Sequence, residues 1–279
     1  MKRRAFLTGC GVGGLIFCNP SLADAPPLSA LSESTRQQIS HLVSIAPLKS
    51  RQERIVLISQ RMKGTPYLAA PLIGSNTTPE ELILSWRGVN CMTFVEIVLA
   101  ASQSLTVEQF IHALIATRYR HHHVAFAERR HFLSDWLHGT PVLCHDLSVT
   151  FPYAQHVEKT LNLKLPADGS GTSQRTTSER YLPGIPLRKR LITYLPTHPF
   201  LSDLHAGGVH GRIKTGDVLG IYSPLPGLDV FHIGLAIWHK KKLFFRNASS
   251  LPEHRYVVDS PLDNYLKERR GLLVYQPIK

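Results

Sequence analysis

Residues 90–102 read Asn90-Cys91-Met92-Thr93-Phe94-Val95-Glu96-Ile97-Val98-Leu99-Ala100-Ala101-Ser102. Asparagine is a favoured N-cap, so a helix is expected to open at Cys91 and run to about Ser102, with Phe94, Val95, Val98 and Leu99 as its buried stripe. This puts a cysteine in a first helical turn, where unpaired amides and the helix dipole stabilise negative charge. Thiol pKa values fall to roughly 3.5–7.5 in such settings, against about 8.5 for a free cysteine. The competing reading of Cys91 on its own is a buried, inert thiol.

Working outward, the flanks on this side are helical. Ser50-Arg51-Gln52-Glu53 is a capping box followed by Ile55, Leu57, Ile58 and Met62, and Gly64 and Pro66 close that helix. Thr106-Val107-Glu108-Gln109 reads as a second capping box, opening a helix to about Arg120. Residues 161–178 are rich in Gly, Ser, Thr and Asp and read as a loop between lobes. Beyond them short apolar runs alternate with turns. Val218 to Tyr222 reads as a strand, Ile233 to Trp238 and Leu243 to Phe245 form a hairpin about the basic turn at Lys240 to Lys242, and Leu272 to Tyr275 is a final strand. Helices first and strands afterwards predict an α+β fold: one domain over residues 24–279, with a helical lobe over about 24–160 and a β-rich lobe over 180–279.

A nucleophilic cysteine needs a base and a group that orients the base. His232, in Phe231-His232-Ile233-Gly234, stands at the start of an apolar strand and is followed by a glycine that allows close approach. The plainer reading is a satisfied core histidine, one of 15 in the chain. Asn247, just past the next strand, is placed to face His232 across the hairpin and to accept its ring N–H without adding charge. Other clusters carry less. The side chains of His121-His122-His123 diverge by about 100° per residue on a helix and do not converge on a metal. Cys144-His145-Asp146 is a triad in sequence only, and Cys144 reads as a half-buried thiol.

The formal net charge of +12 favours an anionic partner, yet the chain holds no nucleic-acid reader motif and no zinc-finger spacing. Residues 1–23 read as a secretory signal: a positive Met1-Lys2-Arg3-Arg4, a short apolar run, then Ser21-Leu22-Ala23. Arg3-Arg4-Ala5-Phe6-Leu7 resembles the twin-arginine export pattern, with a general secretory signal as the alternative. Cleavage is expected after Ala23, because a cut after Ala25 would face Pro26. No later segment is long and apolar enough to read as a membrane span. A periplasmic or secreted location follows. The mature chain would keep two cysteines, Cys91 and Cys144, which in an oxidising compartment can also pair.

Five stretches, in order, resemble the cell-wall cysteine hydrolases of the NlpC type, with a papain-like fold, and within them the N-acetylmuramoyl-L-alanine amidase-like branch. They are Gly64-Thr65-Pro66-Tyr67; Asn90 to Glu96; Arg130-His131-Phe132-Leu133-Ser134-Asp135-Trp136; Gly227-Leu228-Asp229-Val230-Phe231-His232-Ile233-Gly234; and Asn247-Ala248-Ser249-Ser250. The resemblance implies that Cys91 attacks the scissile carbonyl, that His232 activates it and protonates the leaving amine, and that the Cys91 N–H helps hold the oxyanion. It implies that Tyr67 lines the site. Arg130, His131, Asp135, Trp136 and Asp229 would bind substrate, or in the case of the 130–136 stretch brace the cleft. The family pattern has Asp where Asn90 stands and His where Asn247 stands. The implied partner is peptidoglycan or its fragments, cut between the lactyl group of N-acetylmuramic acid and L-Ala. Thiol and imidazole suffice for this chemistry, so neither metal nor organic cofactor is expected. The alternatives are an endopeptidase cutting between D-Glu and the diamino acid, an acyltransferase or thioesterase on the same fold, and an inactive wall-binding protein.

Overall fold

The computed structural model describes residues 25–164 and 179–278. The expected signal segment and most of the expected loop at 161–178 lie outside the described residues.

Four helices come first, and each begins on a side chain that satisfies its free amides. Ser32 caps α1 (Glu33–Val43), its hydroxyl accepting from Thr35 N at 3.2 Å. Ser50 and Glu53 form the expected reciprocal box at the start of α2 (Arg51–Arg61). Asn90 caps α3 (Cys91–Ser102), with Asn90 Oδ1 accepting from Thr93 N at 2.9 Å and Asn90 N donating to Thr93 Oγ1 at 3.0 Å. At α4 (Val107–Arg118) the box is offset. Thr106 caps Gln109 N, but the Gln109 side chain accepts from Leu105 N at 2.7 Å, one residue before the cap.

Helix α3 is buried on every side from Thr93 to Ser102, not along one stripe. It lies between α2 and α4 and the sheet, so no face meets water. This forces Glu96, 2% exposed, into the core, where its carboxylate accepts from Arg118 Nε at 2.8 Å.

The strands are β1 (Cys144–Asp146), β2 (Gln155–Leu161), β3 (Arg188–Pro196), β4 (Val218–Tyr222), β5 (Val230–His239), β6 (Lys242–Ala248), β7 (Val257–Pro261) and β8 (Gly271–Pro277). They form one eight-stranded sheet in the order β2-β3-β8-β4-β5-β6-β7, with β1 on β8. Every pairing among the described strands is antiparallel, which makes this the expected α+β arrangement. Strands β1 and β2 precede residue 165, in the part of the chain expected to be helical. The expected hairpin is β5–β6, and Lys240 at its turn adopts a positive φ of 54°.

Both faces of the sheet are covered. Ile233, Leu235 and Ile237 of β5 join the core shared with α1 to α4. On the other face, Ala236 and Phe245 pack with Phe200 of α5 (Thr197–Ala206) and with Leu262 and Leu266 of α6 (Leu262–Leu266). A buried clamp ties the layers together. Arg246 of β6, 2% exposed, pairs with Asp259 of β7 at 2.6 Å and donates to Ser59 Oγ at 3.0 Å and Gln60 Oε1 at 2.6 Å on α2.

Candidate active site

Cys91 is the first residue of α3, half-buried, at the point where the helix meets β5. Burial pushes its thiol pKa up. Backbone hydrogen bonds at Ile233 on β5, and at Met92 and Cys91 in the first helical turn, oppose this, while the buried Glu96 adds to the rise. The helix start therefore supplies the expected amides, yet burial outweighs them and the resting group is a thiol.

His232 precedes Ile233. The β4–β5 register slips here: Ile221 faces His232 and Tyr222 faces Val230, which leaves Phe231 as the extra residue of a bulge. Such a bulge re-aims the side chains beside it. The imidazole Nε2 lies 3.0 Å from Asn247 Oδ1 on β6. The Asn247 amide nitrogen donates to Phe245 O at 3.1 Å, so the oxygen is the end turned to the ring. An amide oxygen only accepts, so Nε2 carries the proton and Nδ1 keeps its lone pair in the neutral ring. Burial lowers the His232 pKa, the Asn247 hydrogen bond raises it and the charge of Arg269 lowers it further. The net effect is a neutral imidazole at neutral pH.

Gly234 makes the close packing here workable. A Cβ at that position would lie 2.4 Å from Arg246 O, 2.6 Å from the Phe245 ring and 3.0 Å from Asn247 Cβ. The glycine admits the neighbouring strand that carries Asn247, rather than a ligand.

Tyr67 stands near Cys91. Its N–H donates to Arg255 O at 2.8 Å, and the Arg255 guanidinium sits 4.9 Å above its ring. Burial raises the Tyr67 phenol, the Cys91 sulfur raises it further and Arg255 lowers it, so the phenol lies within electrostatic reach of the thiol. The Asn90 amide also donates to Ala69 O at 3.4 Å, so the cap of α3 holds the segment that bears Tyr67.

The remaining residues expected at the substrate are placed in the scaffold. Arg130, Asp135, Trp136 and Asp229 are 0–2% exposed, a burial that their polarity in the sequence does not reveal. Arg130 donates to the carbonyls of Asp135 at 2.8 Å and Pro141 at 2.6 Å, and Asp135 pairs with Arg188 at 2.8 Å. Asp229 accepts from Ser134 N at 2.7 Å and Val230 N at 2.8 Å, which joins the turn at 133–136 to the start of β5. Arg130 and Asp135 thus brace the 132–141 segment, and Asp229 alone of the four touches the strand that leads into His232. His131, part-buried, donates Nε2–H to Phe126 O at 2.8 Å, and burial pushes its pKa down to about 4. His121 and His122 sit in a left-handed turn after α4, with φ of 56° and 57°. Cys144, expected to be half-buried, is 1% exposed, and both it and Cys91 are free thiols.

One site residue carries no sequence signal. Tyr265 of α6 lies nearly parallel to the His232 ring, with centroids 6.4 Å apart and planes at 21°. A thiol, a neutral imidazole with an unprotonated nitrogen and an amide that fixes the tautomer are the parts that nucleophilic acyl transfer requires.

No curated protein matches this chain. A Legionella pneumophila (strain Philadelphia 1) protein of known structure shares the fold, with a TM-score of 0.70 at 23% identity over 90% of this chain and 97% of that one. Two crystal structures of an N-acetylmuramoyl-L-alanine amidase from Bacteroides uniformis ATCC 8492 are also similar. One gives a TM-score of 0.63 at 26% identity, covering 82% of this chain and 99% of that one. The other gives 0.60 at 26% identity, covering 79% and 97%. Residues 57–272 match the AmiA-like, N-acetylmuramoyl-L-alanine amidase-like family, and the chain belongs to that family.

Proposed function

We propose that this protein is an exported cysteine amidase of peptidoglycan, of the NlpC type, that cuts the bond between the lactyl group of N-acetylmuramic acid and L-Ala. The observation that carries the reading is the convergence of Cys91, at the mouth of α3, with the β5 backbone beside His232, whose ring is held by Asn247. Family membership supplies the substrate class.

In this reading His232 Nδ1 takes the thiol proton as Cys91 Sγ attacks the lactyl carbonyl carbon. A C–S bond forms and the carbonyl oxygen becomes an oxyanion, held by the Cys91 backbone N–H. Collapse breaks the C–N bond, and the imidazolium returns its proton to the departing L-Ala nitrogen. Water, deprotonated by the same nitrogen, then attacks the thioester and releases the lactyl carboxylate and the free thiol. The high thiol pKa and low imidazole pKa mean that the proton moves during attack and not before it. Tyr67 lines the cleft. Arg130, Asp135, Trp136 and Asp229 act through the backbone, holding the turn at 133–136 and the start of β5 where His232 needs them. The N-terminal segment supports export, and the positive net charge suits an anionic wall polymer.

The bond is tested by digesting purified peptidoglycan and reading the fragments by mass spectrometry. Intact stem peptides beginning at L-Ala, with free lactyl ends on the glycan, are the expected products. Release of L-Ala-D-Glu dipeptides would move the cut to the D-Glu–diamino acid bond. No release at all would contradict hydrolysis.

A further inference from the structure

Resting on the Cys91–His232 reading, we propose that Tyr265 is a positioning residue for the base: its ring, with that of Phe245, holds the imidazole in the plane that meets Asn247 and covers that hydrogen bond from water. Three rings meet at this point. Phe245 presents edge-on to His232 at 5.8 Å and 71°, Tyr265 lies nearly parallel to it at 6.4 Å, and the two aromatic rings pack together at 4.9 Å. The two rings flank the imidazole, and in this proposal they restrict the same χ2 torsion that the Asn247 hydrogen bond sets.

The element that supplies Tyr265 is anchored for this purpose. Helix α6 spans only five residues, but Leu262 and Leu266 on either side of Tyr265 are fully buried. Arg269 N donates to Leu266 O at 2.8 Å, folding the chain back so that the guanidinium sits 5.8 Å from the centre of the Tyr265 ring. The Tyr265 ring thus has the Arg269 cation and the imidazole as neighbours together. Among the described residues Arg269 acts on the imidazole by its charge and Tyr265 of α6 stacks beside it, β6 offers the uncharged Asn247 and Phe245, and the Cys91 sulfur acts by charge on Tyr265. Both the burial of His232 and the charge of Arg269 favour the neutral ring. Opening the aromatic cover would admit water and weaken the first of these effects.

The contact is made by the ring and not by the hydroxyl, which separates this role from an oxyanion donor. Tyr265→Phe keeps the cover, and Tyr265→Leu keeps apolar volume under α6 while removing the flat face. Histidine-labelled protein, with the His232 resonance assigned through His232→Gln, reports the imidazole titration without any substrate. Tyr265→Phe is expected to titrate as the parent does and to keep its kcat. In Tyr265→Leu the midpoint is expected to move to higher pH, with kcat falling about tenfold to a hundredfold and KM little changed. Melting curves check that each variant folds, and Tyr265→Ala serves if the leucine variant does not. An unmoved titration in a folded Tyr265→Leu or Tyr265→Ala variant would overturn the positioning role and leave the Cys91–His232 reading intact. A kcat loss in Tyr265→Phe as large as in Tyr265→Leu would also overturn it, in favour of the hydroxyl. Activity that survived His232→Gln would overturn the underlying reading and this proposal together.

Discussion

His232 Nε2 lies 3.0 Å from Asn247 Oδ1, and the amide cannot turn over because its nitrogen donates to Phe245 O. Uncharged Asn247 sets the tautomer without stabilising an imidazolium as a carboxylate would. Two substitutions separate these effects. Asn247→Ala removes the acceptor, and kcat is expected to fall about tenfold or more, the loss of one buried hydrogen bond worth roughly 1–3 kcal/mol. Asn247→Asp keeps the acceptor and adds charge, so the acid limb of kcat/KM against pH is expected to move to higher pH. An unmoved limb would contradict the assigned contact.

Burial keeps the Cys91 thiol high and the His232 ring low, so both shifts favour the uncharged pair. Alkylation of Cys91 by iodoacetamide in His232→Gln, which has no base, is expected to rise only as pH climbs past the usual thiol range. A plateau reached already at acidic pH would mean a preformed thiolate.

How legible was all this in the sequence? Caps are local, so Asn90 with Thr93 and Ser50 with Glu53 could be read directly and their helices placed. The β5–β6 hairpin was equally local, and its register turns Asn247 towards His232. The edges of the sheet were not readable in this way. β1 is three residues long, β7 ends in a proline, and β2 mixes polar and apolar residues without clean alternation. The motif at 130–136 showed charged residues but not their burial, which depends on contacts with Asp229 and Arg188 far along the chain. Tyr265 sits on a five-residue helix and reaches His232 only through the fold, so no spacing announced it.

The ion pair of Glu96 and Arg118 lies in the core, with side chains 3% and 1% exposed. Removing one partner strands the other charge. Glu96→Gln is expected to destabilise the protein by about 3–5 kcal/mol in urea unfolding, whereas Glu96→Leu combined with Arg118→Met should cost much less than the sum of the single changes. Additive costs would contradict a paired role.

His131 gives stability its own pH dependence. Its folded pKa of about 4 lies below the ordinary 6.5, so between these values the unfolded chain binds more protons. Stability from this group is present above 6.5 and is lost as pH falls towards about 4. His131→Gln keeps a donor for Phe126 O but cannot titrate. Its urea midpoint is therefore expected to fall less than the parent's on acidification through that window. An equal fall in both proteins would contradict the buried, neutral ring.

The central claim is that Cys91 breaks the peptidoglycan bond, and the most direct test compares the mature protein with Cys91→Ala on purified peptidoglycan at matched folding, followed by mass spectrometry of the soluble fragments. The account predicts stem peptides beginning at L-Ala from the parent and none above background from Cys91→Ala. Digestion that persists in Cys91→Ala would contradict it.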